Sequence, residues 1–325
     1  MRTVLLILLT AMSFSLFGQT TKATSIAKST KAIHIGKTKP LRDIVSMEPM
    51  SQEKKIVWKK NFKAPRNFEG RGGSLVVHPE LEHQGADKIR QNSYPQKSLL
   101  VEATVKVNVE GSTSGSPNDP TGDIGKDHYV HTINSTLIGI YDKEGNEIVS
   151  FPANNLWSSI GFTSAGDPIV LYDQEVDRWI ITEFPSGNQL LVAVSEDSDP
   201  MGVYNAYNFQ TPSFPDYPKY GIWKDAITVT TNEGGPSNLH AYAINKKQLY
   251  ASKSEVSIQR IELPGNTNTD AGFYVATPVD WIGQNVPKDN KPIFLALNDS
   301  SWGDVAEDEI SLFTLDIDWE APANT

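Results

Sequence analysis

Asp119, Asp123 and Asp127 recur at every fourth position in a glycine-containing stretch. Hard carboxylate oxygens in a loop suit Ca²⁺, so these three aspartates form a candidate metal site. Their spacing is not the alternate-residue pattern of an EF-hand, and turn formation is the competing role for the same side chains. A second group is aromatic: Trp157, Tyr217, Trp223 and Trp302 are candidate ligand-binding residues. Aromatic planes with carboxylates and amides nearby recognise sugars by CH–π stacking and hydrogen bonds. Trp157 and Trp302 lie in polar surroundings (NNLWSS and DSSWGD) and are expected at the surface. Burial in a β core is the competing fate of the other aromatics.

Other chemistries lack their residues. The 325-residue chain has no cysteine, which excludes disulfides, thiolate zinc sites, Fe–S clusters and a cysteine nucleophile. Neither a Gly-x-Gly-x-x-Gly turn nor a phosphate-binding P-loop is present. The fragment FPSGN is not a Gly-x-Ser-x-Gly elbow, and no sialidase-type Asp-box appears. Carboxylates are plentiful, so a glycosidase-type acid pair stays open. His128 and His131 are three apart on an expected strand and face opposite sides, which disfavours a shared metal.

The elements that must position these residues are strands. Val101, Ala103, Val105, Val107 and Val109 alternate with polar residues, the pattern of a half-buried strand. Short strand-like runs then recur to the end of the chain. They include His128–Asn134, Leu137–Tyr141, Glu147–Phe151, Asp167–Tyr172, Arg178–Phe184, Gln189–Val194 and Tyr204–Phe209. Ala226–Thr231, Leu239–Ile244, Ser257–Leu263, Phe273–Pro278, Pro292–Asn298 and Glu309–Asp316 follow. Turns such as DKEGN and PSGN connect them as hairpins. No stretch of twelve or more residues carries a 3.6-residue period, so the fold class is all-β. The unit GDPIVLYD, RWIITEF, QLLVAVSE supplies three strands of one four-stranded blade, which favours a β-propeller of six or seven blades, complete or not.

Charge divides the chain. Residues 19–70 hold 12 basic and 4 acidic residues, and residues 71–325 hold 16 basic and 35 acidic. A basic arm thus precedes a strongly acidic body, and the body repels phosphate backbones, which argues against nucleic acid as partner. The arm reads as a solvated, flexible leader in which His34 is solvated too. Val4–Phe17 is an apolar run of fourteen residues behind Arg2. That is shorter than the ~20 residues of a membrane-spanning helix and has the length of a signal-peptide core. The expected organisation is a signal peptide over 1–18, a basic and largely flexible extension over 19–95, and a propeller-like domain over 96–325.

Two stretches carry a resemblance. DPTGDIGKDHYVHTINSTLIGIYDKEGNEI contains Asp119, Gly122, Ile124, Gly125, His128, Tyr129, Val130, Asn134, Asp142 and Gly145 in the order of a known opening motif. GDPIVLYDQEVDRWIITEF and FPDYPKYGIWKDAITVTTNE supply a Gly-Asp-Pro strand, an Asp-Arg-Trp strand and an Asp-Tyr-Pro-x-x-Gly strand. Over residues 115–325 the chain resembles secreted β-propeller modules of exported, gliding-associated bacterial proteins of the type-nine secretion kind. That group has no established general activity. Gly122, Gly125 and Gly145 are expected at positive-φ turn positions. The functional expectation is an exported, non-catalytic module for binding or adhesion at the cell surface, a monomer or part of a larger protein. A glycan or surface protein would be its partner, with Ca²⁺ the one cofactor considered. The alternative is a polysaccharide-active enzyme with carboxylates on the propeller face.

Overall fold

The computed structural model describes residues 27–45, 105–109, 119–134, 137–233, 239–263, 276–283, 289–298 and 309–325. The expected signal peptide, residues 46–104 and Trp302 lie outside the described residues.

Alternating side chains and short Asp/Gly/Asn turns fold the body into consecutive antiparallel meanders. The first is β2 (Pro120–Ile124), β3 (His128–Ile133), β4 (Leu137–Asp142) and β5 (Glu147–Pro152). A short helix, α2 (Ala153–Ser158), leads into β6 (Gly166–Asp173), β7 (Arg178–Phe184), β8 (Gln189–Ser195) and β9 (Tyr204–Gln210). Next come β10 (Lys219–Ile222), β11 (Ala226–Thr231), β12 (Leu239–Asn245), α3 (Lys246–Tyr250) and β13 (Glu255–Leu263). The last is a three-stranded sheet of β14 (Thr277–Pro278), β15 (Ile293–Asn298) and β16 (Glu309–Thr314). Most of the expected strand runs recur within a residue or two of their bounds; of Phe273–Pro278 only Thr277–Pro278 form a described strand, and β2 was not among the expected runs.

Three differences stand out. Val105, Val107 and Val109 are exposed and join no ladder. Among the described residues their alternation meets no partner strand, although Val107 and Val109 lie against Gly145. Among the three motif glycines, Gly145 takes a positive φ of 86° in the β4–β5 turn, whereas Gly122 and Gly125 do not. Gly125 is needed for space instead: a Cβ there would fall 2.5 Å from the Trp179 ring.

The third difference is the largest. Lys28–Lys37, expected in the flexible leader, forms strand β1 in the middle of the main sheet. It pairs antiparallel with β13 on one side and with β9 on the other. The resulting nine-stranded order is β10-β11-β12-β13-β1-β9-β8-β7-β6. Its end strands β6 and β10 approach each other, so the sheet is nearly closed and barrel-like. A short helix, α1 (Leu41–Val45), follows and buries Leu41 and Ile44.

Three cores hold the layers together. Phe184, Tyr207, Phe209, Tyr242 and Ile258 fill the interior of the nine-stranded sheet. The β2–β5 sheet packs on the outer face of β6–β9 through Ile140, Trp157, Trp179 and Tyr204. The β14–β16 sheet packs on the outer face of β12–β13 through Phe294, Ala296 and Ile261. Side chains near the first strands also hold neighbouring meanders. Thr121 Oγ1 accepts from the Val170 N–H at 3.2 Å, Asp123 Oδ2 from the Tyr172 N–H at 2.8 Å, and Asp280 Oδ1 from the Ile222 N–H at 2.7 Å. Each satisfies a backbone donor on an end strand of the nine-stranded sheet, a group that is costly to leave unpaired.

Candidate functional site

The hairpin β6–β7 and helix α3 bring together a buried cluster of charged and phenolic groups. Asp173 ends β6, where its Oδ1 accepts the Glu175 N–H at 3.0 Å and fixes the turn. Asn245 caps α3 by accepting from the Gln248 N–H at 3.0 Å. The next residue is Lys246, and Tyr250 lies one turn on, so both reach the same side of the helix. Lys246 Nζ lies 2.7 Å from Asp173 Oδ2, 3.0 Å from Glu175 Oε2 and 3.2 Å from the Trp223 carbonyl. All three ammonium hydrogens have a partner. Tyr250 Oη donates to the same Asp173 oxygen at 2.6 Å. Burial pushes the Tyr250 phenol well above its ordinary range, and the Asp173 charge adds to the effect. Asp280 stands nearby, its carboxyl raised by burial and by the fields of Asp123 and Asp173, against the Ile222 N–H bond and Lys246.

Tyr250 also lines a half-open cleft of about 250 Å³ with Arg178, Ser195, Glu196, Asn205 and Ser252. Strand β1 contacts two of the lining residues. His34 Nε2 lies 3.2 Å from Asn205 Oδ1, and the Lys37 ammonium is bonded to Glu196. The Lys37 bond is the main reason the Glu196 carboxyl sits below its ordinary range. Asn205 Nδ2 reaches Glu196 Oε1 at 3.3 Å. The polar groups of the cleft are therefore held in place before any ligand arrives.

Glu183, near the other end of the same hairpin, is 1% exposed. Ser164 Oγ and Trp157 Nε1 both donate to it. Burial overrides those two bonds and pushes its carboxyl up to about 8. It lies in a closed pack and not on the cleft.

The candidate residues from the sequence separate. Trp157, expected at the surface, is 0% exposed because its ring fills the core and its N–H serves Glu183. Trp223 is also buried, and it contributes its backbone carbonyl to Lys246. Tyr217 is half-buried at a φ of 56°, with Lys219 Nζ 3.5 Å from its ring centroid. Burial lowers the Lys219 ammonium, against the fields of Asp167, Asp119 and Asp216. None of these three aromatics lines the cleft.

Of the aspartate set only Asp123 lies within β2, with Asp119 just before it and Asp127 in the turn after it. Asp119 accepts from Asn134 Nδ2 at 3.0 Å, Asp123 is bonded to two backbone N–H groups, and Asp127 is exposed in the next turn. Among the described residues no group of three His, Asp or Glu could hold a metal. The structure brings together Asp173, Lys246 and Tyr250 instead. The i, i+4 spacing of Lys246 and Tyr250 is visible in the sequence, but their approach to Asp173 crosses more than seventy residues.

The fold and site define an all-β protein on a nearly closed nine-stranded antiparallel sheet, with a polar cleft beside a buried Lys–Asp–Tyr cluster. Comparison with protein-family models, curated proteins and solved structures finds no match to this chain. No helix among the described residues is long and apolar enough to cross a membrane.

Proposed function

We propose that the chain is an exported, non-catalytic binding module of β-propeller type, whose polar cleft takes one small carbohydrate unit of a surface glycan. The observation that carries this reading is the lining of the cleft. A Tyr ring lies beside guanidinium, amide and hydroxyl groups, and Glu196 is the one carboxylate among the lining residues. Glycoside hydrolysis uses two carboxylates about 5–10 Å apart, one of them held as an acid. Glu196 is instead biased towards its anion by Lys37. Its fixed charge and the neighbouring Asn205 suit hydrogen bonding to sugar hydroxyls.

The propeller part of the proposal is supported by the contacts of the first strands. β2 lies against β6, β6 against β10, and β10 against β14, each opening its own meander. Such successive contact is what first strands around a common axis would make. Export rests on the apolar run Val4–Phe17, and the kinship with secreted propeller modules rests on the motif residues from Asp119 to Gly145.

The test is saturation-transfer NMR of the chain with a panel of mono- and disaccharides. Binding is expected for at least one sugar, with loss in Arg178→Met and Asn205→Leu chains whose circular dichroism is unchanged. Absence of binding across the panel removes the glycan reading. Release of reducing ends from a polysaccharide replaces it with the hydrolase.

A further inference from the structure

Strand β1 occupies its place in an unusual way. It is the N-terminal strand of the described structure, yet both of its neighbours come from the second half of the chain. Between Val45, where α1 ends, and Pro120, where β2 begins, the sequence runs for 74 residues (46 to 119). The strand therefore enters the sheet as a separate piece, tied to the body by a long connection.

Its attachment is mostly backbone and charge. Ala32 is its one fully buried apolar side chain. The ladder runs from Lys28↔Arg260 to Ile33↔Glu255 on the β13 side and from Ile33↔Asn208 to Lys37↔Asn205 on the β9 side. Lys28 pairs with Glu262, Lys31 with Glu255, Lys37 with Glu196 and Arg42 with Asp199. Every one of these partners belongs to the acidic body. A basic strand thus meets an acidic slot, and the two edges of that slot would be bare without it.

We propose that the slot between β9 and β13 accepts β1 from a second copy of the chain, so that copies join by exchange of this strand. The contacts made in exchange are the same as those made within one chain. The balance between the two forms is then set by protein concentration and not by new chemistry. Charge complementarity identifies the occupant, since each basic residue of the strand finds its carboxylate in the acceptor. The cleft follows the strand, because His34 and Lys37 hold Asn205 and Glu196. An exchanged copy would complete its neighbour's cleft.

The absence of cysteine makes the test direct. Lys31 and Ser257 are facing partners in the β1–β13 ladder. Facing residues of an antiparallel pair are within disulfide reach, at about 4.5–5.5 Å between Cα atoms. Chains carrying Lys31→Cys alone and Ser257→Cys alone are mixed in reductant at rising protein concentration, then oxidised. A disulfide-linked heterodimer is expected, at least ten-fold above the dimer that either variant forms by itself. Adding Glu262→Lys to the Ser257→Cys chain should lower the yield several-fold at low salt. The double variant in one chain reports the register by closing its bond internally. A mixture that yields no more dimer than the single variants, while the double variant closes, overturns exchange. A double variant that stays open overturns the strand placement on which the proposal rests. The glycan panel reads the cleft itself, whichever copy supplies the strand.

Discussion

Glu183 and Asp173 sit near opposite ends of one β-hairpin, both buried, and receive opposite answers from their surroundings. Among the described residues Glu183 meets no cation: neutral donors, including Ser164 and Trp157, bond to it, and burial raises its carboxyl to about 8. Asp173 meets an ammonium, a phenol and a backbone N–H. Burial of a carboxylate is tolerated by taking up a proton or by acquiring a cation, and this hairpin shows both solutions. The lesson concerns location. The cation solution adjoins the cleft, where Tyr250 is shared, whereas the proton solution is sealed in the core under α2.

The contrast can be broken from the Glu183 side first. A carboxyl raised in the folded state stabilises the protein fully below its unfolded value near 4.5, and that contribution is lost as pH rises through about 8. The native state binds the extra proton across that window, so stability falls with rising pH. The interval corresponds to roughly 5 kcal/mol. Urea unfolding at pH 5, 6.5 and 8 should show this fall in the wild type and a much flatter dependence in Glu183→Gln. Identical slopes in the two proteins would remove the proton solution.

Lys246→Met attacks the other end. It leaves Asp173 and Glu175 without their cation and should cost about 3–5 kcal/mol at pH 7. Combining it with Asp173→Asn should recover part of that loss, because the unpaired charge is then gone. A single-variant cost within 1 kcal/mol of zero would show that the cluster is not held by charge.

Asp123 sharpens the comparison with a third solution, in which a half-buried carboxylate is answered by the backbone alone. Asp123→Ala strips the acceptor from the buried Tyr172 N–H and should cost roughly 1–3 kcal/mol. Calcium and EDTA should both leave the wild-type melting temperature unchanged. A calcium-dependent rise that the variant loses would restore the aspartates as a metal site.

Much of the fold was legible because hydrophobic alternation and turn chemistry act locally. Arg178–Phe184 and Ala226–Thr231 begin and end where the sequence pattern places them. β1 was not legible, and the reason is physical. Its sequence, KSTKAIHIGK, buries a single apolar side chain fully, so it carries no hydrophobic period. What holds it is a ladder on both edges and ion pairs with residues some 160 to 230 positions away. The site was less legible still. Trp157 has polar neighbours in sequence and an apolar core around it in space.

Composition and pattern alone determined an all-β, cysteine-free chain with a basic arm and an acidic body, because each of these is a sum or a local period. Tertiary structure decided where that charge separation is used. The acidic body receives part of the basic arm as a central strand, since two free β edges and a row of carboxylates meet only after folding. It also decided which carboxylate gains a cation and which gains a proton, because that depends on the groups the fold carries across the hairpin and not on neighbours in the chain.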